Sequence, residues 1–232
     1  MSNESAAEAT AQQSAEVDPI EKVGLGLYHG QPRHEVVDRI PRGTRRLLDV
    51  GCANGAFGMT VKERLGAEVW GIEIHEPAAR VAQKRLDRVL IGDALASMAT
   101  MPEGHFDCVT FNDVLEHLVD PEALLRETKK HLAPGGVVIA SIPNVRHWEV
   151  LYNLVWKGNF DYADWGVLDR THLRFFTIRS IAKLFDAAGY QLRAADGING
   201  PQTARGQRMA RWLPKSLADV QWLQFLCTAV PR

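Results

Sequence analysis

Residues 47–58 read LLDVGCANGAFG, and the fold is decided in this stretch. Over 46–50, Leu47, Leu48 and Val50 are apolar and Asp49 stands near the end, the pattern of a short buried strand. The small residues 51–55 (GCANG) form a turn, and 56–65 follow as a helix with Phe57, Val61 and Leu65 on one stripe. Strand, glycine turn and helix make the opening unit of a nucleotide-binding α/β fold. Gly51 and Gly55 let the backbone bend sharply and let a ligand approach it, because no Cβ stands in the way. The helix start then offers free N–H groups to that ligand. A second strand over 68–72 (EVWGI) ends at Glu73. Glu73 lies roughly 20 residues past the turn, where an acidic side chain grips the two hydroxyls of an adenosine ribose. An ordinary βα turn accounts for any one of these features alone; the ordered set points to an adenosine cofactor.

Which cofactor depends on the glycines. In the G-x-G-x-x-G register of dinucleotide sites the chain has Gly51, Ala53 and Ala56, so two glycines are missing and a nicotinamide dehydrogenase is disfavoured. The pattern present is D-x-G-C-x-x-G, led by Asp49. It resembles the first motif, (V/L)LDxGCGxG, of the class I S-adenosylmethionine-dependent methyltransferases. The departure is Ala53, whose small side chain keeps the turn compact. Three further stretches are similar to motifs of that family: IGDA ending at Ala94, FDCVTFNDVLEH over 106–117 and LAPGG over 132–136. The similarity spans about 45–190.

That resemblance implies a doubly wound, mostly parallel seven-stranded sheet with an antiparallel last strand and helices on both faces. The implied cofactor is S-adenosyl-L-methionine, leaving as S-adenosyl-L-homocysteine. By the same resemblance Asp49, Gly51, Cys52 and Gly55 surround the methionine portion, Glu73 holds the ribose and Ile74 lies beside the adenine. Asp93 and Ala94 read the adenine edge, and Asn112 and Val114 approach the methionyl side. Asn112 and Asp113 end a strand and so fall at the crevice outside the carboxyl ends of the sheet. A cofactor-binding protein without catalysis is a further reading, because fold alone never proves activity.

The chain has 232 residues, 46% hydrophobic, and a net charge of -1, which suits one α/β domain with a sizeable core. Near-neutral charge argues against nucleic acid as the partner. Three separated cysteines without a C-x-x-C pair suggest reduced thiols and a cytoplasmic protein. Cys52 reads as a small packing residue, with a reactive thiol as the alternative. No apolar run reaches the length of a membrane span, and no basic patch followed by an apolar segment suggests a secretory signal.

In chain order, 1–17 reads as a disordered tail, and 18–232 as a single domain. Residues 18–44 hold a segment that is either a lid over the cofactor or a surface loop, then a short helix over 33–40. Helices are expected over 77–86, over 121–132 with Asp120 as N-cap, and over 178–188 ended by Gly189. Strands are expected over 89–91, 106–111, 137–142, 190–194 and 222–229.

Two stretches exceed what such a core needs. Residues 145–176 form an insertion longer than ordinary loops, with a helix in it, and loops of that length are usually functional. Its aromatics either bury that helix or line a cap over the acceptor, with His147, Trp148 and Tyr152 as candidate contacts. Within it, 168–177 (LDRTHLRFFT) resembles a signature of a methyltransferase branch associated with sugar, polysaccharide and natural-product tailoring. Arg170 and Arg174 join the candidate acceptor contacts. The basic stretch 197–220 carries Arg205, Arg208, Arg211 and Lys215, either a solvated loop or a site for a phosphate-linked acceptor. The expected partner is thus a small-molecule or glycan acceptor, and a homodimer is compatible with the reading. Oxygen is the expected acceptor atom, with an amine as the alternative. A hydroxyl must lose a proton, so His117 is the first candidate base and His172 the second, with Asp113 or Glu116 to orient them. No metal is expected from the spacing of His, Asp and Glu.

Overall fold

The computed structural model describes residues 32–201, 203, 208 and 212–232. The expected tail, the lid segment 18–30, Arg205 and Arg211 lie outside them. The strands are β1 (Arg46–Val50), β2 (Glu68–Glu73), β3 (Arg88–Ile91), β4 (Phe106–Asn112), β5 (Leu132–Pro143), β6 (Tyr190–Ile198) and β7 (Gln224–Pro231). They form one sheet in the order β3-β2-β1-β4-β5-β7-β6. β7 runs antiparallel to both β5 and β6, and the other pairings are parallel. The seven-stranded sheet implied by the motifs is the one observed. The order reverses between β1 and β4, which opens a crevice at their carboxyl ends.

Alternation along the central strands feeds two cores. Leu48, Val50, Val109 and Phe111 point into a cluster that also holds Leu124, Leu125 and Phe185. Leu47 and Cys108 point the other way, onto Phe57, Val61 and Ala82. The first cluster is covered by α4 (Ala94–Met98), α5 (Pro121–His131) and α7 (Ile178–Ala187), the second by α1 (His34–Val37), α2 (Ala56–Leu65) and α3 (Glu76–Ala82). Continuous apolar strands are what two covered faces require. Local signals set the helix ends. Asp120 accepts from the Ala123 N–H at 2.9 Å, and Thr177 and Ser180 form a capping box.

The ends of several elements differ from the sequence reading. α3 stops at Ala82 because the chain then tightens into i→i−3 turns, the Lys84 N–H donating to the Val81 carbonyl at 3.1 Å and the Arg85 N–H to the Ala82 carbonyl at 2.9 Å. β5 begins at Leu132, not Val137: Leu132 pairs with Phe106, and residues 133–136 bulge out before Val137 pairs with Cys108. β6 extends to Ile198, and β7 starts at Gln224 because Trp222 covers Gly197 and Gly200 instead of entering the ladder. The insertion is a closed excursion. Its ends meet where Asn144 pairs with Phe176, and it contains α6 (Trp148–Trp156).

Candidate functional site

The glycine turn is shaped by its neighbours. At Gly51 φ is +74° and an added Cβ would stand 2.5 Å from Val114 Cγ2. At Gly55 φ is +80° and an added Cβ would press on Ala82 of α3 at 3.1 Å. Ala53 adopts a left-handed φ of 46°, a conformation its smallness makes tolerable. Glu73 holds this turn in place. Its Oε2 accepts from the Ala53 N–H and its Oε1 from the His75 N–H, each at 2.8 Å. Each oxygen keeps a lone pair for a ligand.

Around the turn opens a cavity of ≈ 420 Å³. Gly51, Glu73, Ile74, Asp93, Ala94, Asn112, Asp113 and Val114 all line it, brought together from the ends of β1 through β4. Asp93 also caps α4 by accepting from the Ala96 N–H at 2.9 Å. Asp49 and Cys52 stand behind the wall. Asp49 is 1% exposed, accepts from Thr110 Oγ1 at 2.8 Å and Asn112 Nδ2 at 3.2 Å, and is pushed up to about 7 by burial. Cys52 turns its thiol toward Gly71 in the core, where burial raises its pKa.

Two buried polar atoms at this end have no hydrogen-bond partner among the described residues: Asn112 Oδ1 and Arg33 Nη2. Arg33 binds Asp113 Oδ2 through Nη1 at 2.6 Å, and Asp113 Oδ1 accepts from Ser141 Oγ at 2.9 Å and Gln224 Nε2 at 2.8 Å. Asp113 therefore ties the residue before α1 to β5 and β7 at the cavity wall. An orphaned acceptor and an orphaned cationic donor complement an α-ammonium and an α-carboxylate. An amino-acid zwitterion attached to a nucleoside fits these residues. The sequence reading placed Arg33 only at a helix start and gave Ser141 and Gln224 no role.

Residues 27–195 match the family described as "Methyltransferase domain". This chain belongs to that methyltransferase family. A ubiquinone biosynthesis O-methyltransferase of Idiomarina loihiensis is 29% identical over 66% of this chain and 65% of its own length. One from Psychrobacter arcticus is 27% identical over 82% of this chain and 74% of its length. The chain spans between about half and about three quarters of the length of the curated relatives it matches. A solved SAM-dependent methyltransferase from Archaeoglobus fulgidus superposes with a TM-score of 0.62 at 18% identity, covering 90% of this chain and 98% of that one. The cofactor of this class I fold is S-adenosyl-L-methionine.

In this methyltransferase the two candidate histidines come together at the mouth of the same cavity. His117, in a 3-10 turn Leu115–His117, lines it, and its ring meets that of His172 edge-on at 4.7 Å. The His117 Nδ1 lies 3.2 Å from the Thr171 carbonyl, which places its proton there and leaves a lone pair on Nε2. Burial, and then the neighbouring His172, lowers the pKa of His117, so the imidazole is neutral at pH 7. The His172 Nδ1 lies 3.0 Å from the Val167 carbonyl. Its Nε2 faces Glu116 Oε1 at 4.0 Å.

The cap residues divide. His147 lines a second cavity of ≈ 380 Å³ with Trp165, Asp161 and Gln224, next to the first through the Gln224–Asp113 bond. Trp148 and Tyr152 line neither cavity; they are 55% and 46% exposed, and Val150 is the buried residue of α6. The reading that the aromatics bury this helix is corrected: its Trp and Tyr residues face outward, because the helix rests on the fold through Val150. Arg170 pairs with Asp164 in solvent, and Arg174 donates to the Val119 carbonyl. Arg208 is exposed, and Lys215 belongs to a short 3-10 turn Lys215–Leu217. No helix among the described residues is long and apolar enough to cross a membrane.

Proposed function

We propose that this methyltransferase methylates a hydroxyl oxygen of a small-molecule acceptor, activated at His117 and His172. The observation that carries the reading is His117: a neutral imidazole with its Nε2 lone pair free, set in the wall of the cofactor cavity. The naming of the relatives as O-methyltransferases supports oxygen over nitrogen. S-adenosyl-L-methionine supplies an electrophilic methyl group whose departure leaves a neutral thioether. This chain's part is to bind and orient. Glu73 is set for the ribose hydroxyls, Asp93 and Ile74 for the adenine, and Arg33 and Asn112 for the amino-acid end. Positioning of this kind supplies much of the rate of a displacement with so good a leaving group. The hydroxyl proton leaves at the His117 end, and the second cavity beneath the cap offers room for the body of the acceptor.

A sugar or phosphate-linked acceptor is the narrower reading of 168–177 and of the basic stretch, whereas the relatives' names point to an acceptor of ubiquinone biosynthesis. A cytoplasmic setting suits the three buried free thiols. The reading works within one chain and calls on no second copy.

The test is a labelled-methyl screen over phenols and catechols, nucleotide sugars and lipid-linked glycans. With any acceptor found, His117→Ala should lower kcat by roughly 10²–10⁴-fold, with S-adenosylhomocysteine affinity unchanged. An unaltered kcat, or methyl transfer only to amines, would refute the proposal.

A further inference from the structure

We propose that Glu116, His117 and His172 form a binding site for one divalent cation of the zinc-to-iron class. The inference rests on the reading of this cluster as the place where the acceptor hydroxyl is activated, and says how: the imidazoles act through an ion.

Three observations meet here. The ligand-capable atoms of the three side chains lie within 4.8 Å of one another. Glu116 is 1% exposed, yet both its carboxylate oxygens lack a hydrogen-bond partner among the described residues. A buried carboxyl left that way costs stability, so it calls for a cation or a proton. Finally, both imidazoles are held by a backbone carbonyl on Nδ1, Thr171 for His117 and Val167 for His172. That arrangement fixes the tautomer which presents Nε2 to a metal, and outer-shell carbonyls do this in established metal sites.

The donor set selects the ion. Two imidazoles and one carboxylate suit zinc, iron or a similar ion, whereas magnesium and calcium favour all-oxygen sets. Three protein ligands leave a position open, as in catalytic zinc sites. His117 lines the cofactor cavity, so the open side faces the place where an acceptor hydroxyl would approach. An ion there would lower the pKa of that hydroxyl. The motif-level spacing hid the site, because Glu116 and His117 are adjacent while His172 lies in the insertion.

The experiment uses the untagged full chain, stripped with a chelator, reloaded with Zn²⁺, Mn²⁺ or Mg²⁺, desalted and assayed for metal content and by calorimetric titration. One equivalent of Zn²⁺ should be retained and Mg²⁺ should wash out. Glu116→Gln and His172→Ala should each weaken Zn²⁺ binding by more than the roughly 10–100-fold that outer partners contribute. Titration with S-adenosylhomocysteine reports whether each variant has folded. If either fails that control, His117→Gln, at the one partly exposed position of the three, takes its place. Retention well under one equivalent by the wild type, or undiminished retention by the folded variants, overturns the site. No acceptor enters these measurements, so their failure leaves the methyl-transfer reading standing. A zinc-loaded protein that methylates nothing would sink that reading and spare the site.

Discussion

Gly51→Ala tests the reason given for the cofactor turn. Gly51 has φ +74°, and a new Cβ would stand 2.5 Å from Val114 Cγ2, with Val114 Cβ and Cγ1 farther off at 3.8 and 3.9 Å. Holding alanine in a left-handed conformation costs roughly 1–2 kcal/mol. Relieving the contact turns Val114 off its rotamer for roughly 0.5–1.5 kcal/mol. The stiffer unfolded chain returns about 0.4–1 kcal/mol. The net is a loss of roughly 0.5–3 kcal/mol. For a chain of this size that lowers Tm by roughly 1–12 °C. Both residues line the cavity, so S-adenosylhomocysteine should also bind more weakly. The assay is urea and thermal unfolding of Gly51→Ala, Val114→Ala and the double variant. With Val114 shortened the steric share disappears, and Gly51→Ala should cost about 1 kcal/mol less than it does alone. Equal costs in both backgrounds, within the roughly 0.3–0.5 kcal/mol of ordinary additivity, would refute the contact as the reason for this glycine.

Asp49 should make the ligand-free protein less stable as pH rises. Its folded pKa of about 7 lies above the unfolded value near 3.9, so stability falls between about pH 4 and 7 and stays lowered above that window. Asp49→Asn should therefore gain on the wild type in urea midpoint, and by more at pH 8 than at pH 5; a gain no larger at pH 8 would count against the buried carboxyl as the cause. Cys52, Cys108 and Cys227 are buried, and burial raises all three thiol pKa values, so iodoacetamide should label none in the native protein and all three in urea by intact mass. Labelling of native Cys52 would show a thiol reachable from the cavity.

The residue pattern alone located β1 and α2, because local periodicity and glycine spacing are short-range properties that one stretch of chain carries by itself; the seven-stranded sheet with its antiparallel last strand came from the family resemblance of the motifs. Eight of the residues expected at the cofactor are among those that line the cavity, since each falls at or just past the end of a strand that the motifs had already placed. The pattern did not separate Asp49, Cys52 and Gly55, which do not line the cavity, from Gly51, which does: Asp49 lies on β1 and the others in the turn after it, and which of them face the cavity is set by what packs there.

The tertiary structure alone decided the rest. Gln224 reaches Asp113 across 111 residues, and Glu116 finds His172 through an insertion that leaves the sheet at Asn144 and returns at Phe176. The atoms of Arg33, Asn112 and Glu116 that have no hydrogen-bond partner among the described residues exist as such only once packing has removed water from around them. Burial and long-range pairing are properties of the assembled chain. Sequence therefore determined which residues reach the end of the sheet, and folding determined which of them were left with something still to bind.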